Sequence, residues 1–287
     1  MSRLNSAQTQ EKPKKGFFRS NPVMNRLNKL DYDTTTDGKA AAYGRITAKT
    51  AYFLLTTIVG IMLYLVLNNT LFAAQPQTLQ FTYRGFQVST SMMAILVAAG
   101  VGIVVIVTQL IAAFARGTIP VTGTIYCVAQ GFLISFTVFT LIKGYEYLGM
   151  LALGITIVVV LSMAILYTTG VVKVTKKFRL VVTTLFAAMV GISILTFVCY
   201  LIPLTRPIVS MIMGNFWISL GMTILSIIIA SLFLISDFAT IDHVVENHMP
   251  AKYEWMAAFG LAFTVLWIYV KILDLLIQIV GNSRSSS

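Results

Sequence analysis

Seven stretches of this chain, at about 50–74, 88–115, 119–143, 146–168, 179–204, 213–236 and 253–280, are longer and more apolar than a water-soluble domain tolerates. The hydrocarbon core of a bilayer is about 30 Å thick, and a helix needs roughly 20 mostly apolar residues to cross it. Each run meets that length. Only helices and closed barrels satisfy every backbone polar group in lipid, and runs this long and continuous suit helices. The chain is therefore expected to be an all-α, polytopic membrane protein with seven transmembrane helices. Its composition agrees: 57% of residues are hydrophobic and 11% charged, where soluble domains carry about 25% charged residues. Three regions follow: a basic N-terminal tail at 1–49, a membrane domain at 50–280 and a short polar C-terminal tail at 281–287.

The net charge of +11 would suit a nucleic-acid partner, but its distribution points to the bilayer. Ten of the 21 Lys and Arg residues precede Thr50, and four more (Lys173, Lys176, Lys177, Arg179) lie in one short link. Counted over alternate loops, sixteen fall on the side of the N-terminus and four on the other, with Lys271 inside the last run. The positive-inside rule then puts the N-terminus in the cytoplasm and, after seven spans, the C-terminus outside. A multi-pass protein of the plasma membrane is expected, with its basic tail at the lipid surface and no nucleic-acid partner. The first run follows about 49 polar residues, which is not the pattern of a signal peptide.

Ionisable residues inside spans are costly and default to functional hypotheses. Here they are Asp237, Lys271 and Asp274. In the sixth run Ser219, Thr223, Ser226, Ala230 and Asp237 share one face of a 3.6-residue helix. In the seventh, Gly260, Thr264, Lys271, Asp274 and Gln278 do the same. A small, polar face leading to a carboxylate resembles the lining of a hydrated path. Structural readings stand beside this. Asp237 could mark a helix end, Lys271 could snorkel to the headgroups, and Lys271 and Asp274, three apart, could neutralise each other. The polar stripe could bond between helices instead of lining water.

Other chemistry finds little support. His243 and His248 lack the H-E-x-x-H spacing of a zinc site and read as a solvated connector. Cys127 and Cys199 show no metal spacing and read as apolar packing residues. No P-loop or nucleophile elbow is present. No enzyme activity, cofactor or metal is expected. Ala94, Ala98 and Gly102, and likewise Ala187 and Gly191, have the spacing of helix-packing faces.

Several stretches resemble the Bax inhibitor-1 family, in particular its bacterial, YccA-like branch. They are SNPVMNRL (20–27), TAKTAYFLL (47–55), VTGTIYCVAQGFLISF (121–136), LYTTGVVKVTKKFR (166–179), ISDFATID (235–242) and KYEWMAAFGLAFTVLWIYVKIL (252–273). The resemblance implies seven helices with the last one central. It also implies a cation leak, chiefly of calcium, gated by protonation of a carboxylate in the sixth helix paired with one in the seventh. Asp237 matches the first partner. The second position holds Lys271 in one register and Thr264 in another, and neither is acidic. Hairpin geometry favours Thr264, because a turn near His248 sets Asp237 opposite Gly260. Gln130 stands where the family leads one to expect a glutamate. The same geometry sets Asp242 near Glu254, so Asp242, Glu246 and Glu254 read as an acidic cytoplasmic mouth of the hairpin.

Two functions from different classes remain open. One is a leak for calcium or other cations through the sixth–seventh hairpin. The other is a non-conducting interaction protein that modulates a membrane quality-control protease.

Overall fold

The computed structural model describes residues 40–76 and 79–285. Most of the expected tail at 1–49, up to residue 39, lies outside the described residues. The chain is helical over each apolar run. In order, the elements are α1 (Tyr43–Leu67), the strands β1 (Leu79–Tyr83) and β2 (Phe86–Thr90), α2 (Met92–Phe114), α3 (Ile119–Phe136), α4 (Tyr147–Thr168), α5 (Lys176–Leu201), the short α6 (Arg206–Gly214), α7 (Phe216–Glu246) and α8 (Lys252–Ser285). Single π turns, Asn68–Phe72 and Thr137–Leu141, extend α1 and α3.

Among the described residues, six helices are long and apolar enough to cross a membrane: Tyr43–Phe72, Met92–Ala112, Ile119–Leu141, Tyr147–Thr168, Phe216–Glu246 and Lys252–Arg284. The chain is thus a multi-pass membrane protein. Large apolar residues on the outer faces, such as Leu55, Val59 and Met62 of α1 or Met150, Val158 and Leu161 of α4, are exposed. Lipid would cover such faces.

Helix starts follow local chemistry. Ser91 accepts from Ala94 N at 3.2 Å, Thr175 from Phe178 N at 3.1 Å, and Asn215 from Trp217 N at 3.0 Å. Each satisfies an amide that has no partner within its own helix. Helix α1 has no such cap of its own, since Ala42 stands at that position.

In lipid, helices gain little from apolar burial and associate by close packing and polar contacts. Helices α1 and α3 meet backbone to backbone. A Cβ on Gly60 would lie 1.9 Å from Val128 O, and one on Gly131 would lie 2.0 Å from Thr57 O. Helix α8 packs against α1, α3, α4 and α7, whereas α5 packs chiefly on α6 and α7.

Three sequence expectations need correction. The second run does not start a helix at 88. Residues 79–90 form a two-stranded antiparallel hairpin in which Tyr83 pairs with Phe86. Its two-residue turn has positive φ at Arg84 (45°) and Gly85 (84°), the backbone that fits the twist of a tight hairpin. The sixth run does not end near 236, because α7 continues to Glu246. His243 therefore lies in a helix rather than a connector. Finally, not every small-residue face packs. Ala94 and Ala98 are buried, but Gly102 and Gly191 face open space and Ala187 is exposed.

Candidate functional site

Helices α7 and α8 run antiparallel, joined by a turn in which His248 has a φ of 48°. They bring the polar residues of the two stripes face to face at two levels.

At the first level Thr264 Oγ1 donates to Asp237 Oδ2 at 2.6 Å, with the Gly260 carbonyl at 3.1 Å as the competing acceptor. Gly260 leaves room for the carboxylate: a Cβ there would stand 4.0 Å from Asp237 Oδ1. Asp237 is not at a helix end. Nine further residues of α7 follow it, about 14 Å at 1.5 Å per residue. Thr264, not Lys271, is its partner. Lys271 lies seven residues further along α8, about 10 Å beyond Thr264, so the two charged side chains are not brought together.

The second level lies nearer the β-hairpin. Thr223 Oγ1 and Gln278 Nε2 reach Asp274 Oδ2 at 3.3 and 3.1 Å, and Gln278 Nε2 also reaches Thr223 Oγ1 at 2.7 Å. Arg84, from the hairpin turn, places Nη2 3.2 Å from Asp274 Oδ1 and Nη1 3.2 Å from Ser219 Oγ. The left-handed backbone at Arg84 is unfavourable for a residue with a Cβ; its two side-chain bonds hold it there. The turn also sits tightly on α8, since a Cβ on Gly281 would lie 1.8 Å from Arg84 O. Ser226, one turn along α7 from Thr223, bonds Met222 O at 2.8 Å and Met189 Sδ at 3.1 Å. Beside this network is a cavity of about 480 Å³, lined in part by Arg84, Ser219, Thr223, Ser226, Lys271 and Asp274.

An apolar layer separates the two levels. Ala230, Leu234 and Ile268 are fully buried within one core cluster. The polar stripe of α7 is thus interrupted between Ser226 and Asp237.

Of the three acidic residues expected at a shared mouth, Asp242 and Glu246 stand one turn apart on α7 and both act electrostatically on Tyr43 and Tyr167, while Glu254 is turned into a cluster of its own. Asp242 accepts from the Tyr167 hydroxyl of α4. Glu246 is the last residue of α7. Glu254 is fully buried: its Oε1 receives Arg45 Nε at 2.7 Å and Ala42 N at 3.1 Å, and its Oε2 receives Lys49 Nζ at 2.6 Å. A carboxylate suits the positive end of a helix, so α8 supplies the cap that α1 lacks. Next to it Ala41 N donates to Met249 O at 2.8 Å, which ties the start of α1 to the α7–α8 turn. Among the described residues no group of three or more His, Cys, Asp or Glu could hold a metal ion.

This arrangement, with the last long helix packed against four others and paired to its predecessor through Asp237, coincides with a family-level match. The family model described as Bax inhibitor 1 like covers residues 21–281. The chain belongs to that family. No curated protein and no solved structure matches it. The match takes in both polar levels of the α7–α8 pair and the Glu254 cluster.

Sequence reasoning misses three site residues. Arg84 reads in the sequence as a loop charge, although the alternation in FTYRGFQVST around Arg-Gly is a hairpin signal. Arg45 and Lys49 look in the sequence like tail charge. Nothing local pairs them with a residue more than two hundred positions away.

Proposed function

We propose that this Bax inhibitor 1 like protein is a gated leak for calcium or other cations, working through the α7–α8 pair, with the described arrangement as its closed form. The observation that carries this is Asp237, a carboxylate deep in a membrane helix, held by the Thr264 hydroxyl and separated from a polar cavity by one apolar layer. Such residues in spans mark ion paths by default. Separating Leu234 from Ile268 would join the two polar levels. No catalysis, cofactor or metal site is part of this reading.

We place seven spans in the plasma membrane, counting α5 with the six apolar helices, and assign the chain to the bacterial, YccA-like branch. The sixteen-to-four bias of Lys and Arg supports a cytoplasmic N-terminus and an external C-terminus.

A second reading has its own observation. The cavity lining carries Arg84 and Lys271 against the single carboxylate of Asp274, and a positive excess repels divalent cations. Under this reading the protein does not conduct and acts on a membrane partner such as a quality-control protease.

Calcium flux into liposomes made with the purified protein separates the two. The leak reading expects flux above protein-free liposomes, altered more by Asp237→Asn than by Glu246→Gln. Absence of flux from the wild-type protein at every pH tested favours the second reading. Equal effects of the two substitutions would remove Asp237 from the path.

A further inference from the structure

We propose that the cavity beside Asp274 binds a phosphate-type oxyanion through Lys271. Its charge argument rests on the second, non-conducting reading, since the same positive excess weighs against a cation in this cavity.

The argument starts from register. The antiparallel pairing that sets Thr223 against Asp274 also sets Ser226 level with Lys271, one turn further into the membrane domain. Both residues line the cavity. Arg84 is engaged, with one nitrogen on Asp274 and the other on Ser219. Lys271 has no hydrogen bond or ion pair among the described residues, and it is half-buried in a membrane-crossing helix. An ammonium there without a counter-charge is costly, and an anion in the cavity supplies that charge. The ionic lining without a ligand is one positive charge in excess, so an oxyanion brings it to balance where a cation would worsen it. The cavity volume, about 480 Å³, lies in the range of small-molecule sites and is ample for a phosphate ester.

The same chemistry has two sources. A free phosphate would enter from water at the hairpin end. A lipid phosphate would enter sideways between α5 and α7, where Met189, Ile192, Ile218 and Met222 give the cavity an apolar wall that acyl chains could follow.

The test is thermal unfolding of the full-length protein in a neutral detergent, with three probes in turn: inorganic phosphate, dihexanoyl phosphatidylglycerol and dihexanoyl phosphatidylcholine. A site of this kind gives a saturable rise in Tm of about 5 °C at roughly a hundredfold excess over Kd. The rise should be absent in Lys271→Met and kept in Lys271→Arg. If Lys271→Met does not fold, Ser226→Glu, which puts a carboxylate level with Lys271, should remove the rise while leaving the lysine in place. A rise with phosphate alone identifies a solute site, one with phosphatidylglycerol alone a lipid headgroup site, and one with both a site open to either. Three results overturn the proposal: no rise with either anion, an equal rise with phosphatidylcholine, or a rise that persists in whichever of Lys271→Met and Ser226→Glu folds.

Discussion

Glu254 stands in the first turn of α8 and Asp274 about two thirds of the way along it, and both meet basic residues from another part of the chain, yet their surroundings differ. Glu254 has no exposed surface and three donors on its two oxygens. Lys49, one of those donors, also sits 4.8 Å from the centre of the Trp255 ring. Phe53 packs against both Trp255 and Phe259 at the same level. Asp274 keeps 21% of its side-chain surface exposed, borders a cavity, and has as its cationic partner an arginine on a two-stranded hairpin. Where apolar burial distinguishes little, rigidity comes from close backbone packing and polar satisfaction. The Glu254 end has its polar groups fully satisfied. The Asp274 end has a close backbone seat, the Arg84 carbonyl on Gly281, but its ion pair is open to water and borders a cavity, which suits it to admit a ligand or to move.

The largest effect is expected at the α1–α3 contact, which lies about 22 Å along α1 from Arg45 of the Glu254 end. Gly131→Val would drive a side chain into the Thr57 carbonyl. Backbone has nowhere to yield there, so the helices must separate. A loss of roughly 3 kcal/mol, the upper end for overpacking, is expected as a lower Tm in detergent. Gly154→Val, at a glycine that meets nothing within 4 Å, is the control and should cost far less. Equal losses would mean that the α1–α3 contact does not set the stability of the α1 side of the bundle.

Much of this fold was legible in the sequence because lipid imposes one simple rule, a long apolar helix per crossing. The α7–α8 pairing was legible too. A turn near His248 in an antiparallel hairpin puts Thr264 within reach of Asp237, as the structure has it. What the sequence hid were contacts between distant segments. The Gly60 and Gly131 approach looks like two isolated glycines, whereas of the regularly spaced Ala187 and Gly191, which do look like a packing face, the first is exposed and the second meets nothing within 4 Å among the described residues. Glu254 reads as an acid in a turn until α1 is folded beside it. Polarity rises after Ser236 and mimics a helix end, although α7 continues to Glu246. Helices continue past an apolar run wherever other elements pack against them, as Tyr167 does at Asp242.

Glu254→Gln compares the two ends directly. The amide keeps one acceptor but turns donors towards Arg45 and Lys49, leaving two cations without a counter-charge. Removing one partner of a buried ion pair typically costs 3–5 kcal/mol. Arg45 is 46% exposed and Lys49 20%, and water screens part of that loss. About 2 kcal/mol is expected, and the start of α1 should also exchange its amides faster, Ala42 first. An unchanged Tm together with unchanged exchange at Ala42 would show that the cluster is solvated and the end is not rigid.

The smallest effect is expected from Asp274→Asn. This substitution removes the negative charge that faces Arg84, but the amide can still accept from Thr223 or Gln278 through its oxygen. Arg84 is 33% exposed, and an ion pair this open to water contributes at most about 1 kcal/mol. The hairpin keeps its other anchor, the close seat of the Arg84 carbonyl on Gly281, so it should stay docked. Double-mutant analysis with Arg84→Gln measures the pair itself, because whatever each change does separately cancels. The expected coupling is below half of that between Glu254→Gln and Lys49→Met at the other end. A larger coupling at Asp274 than at Glu254 would reverse the comparison: the hairpin would then be a fixed closure, and the Glu254 end the looser of the two.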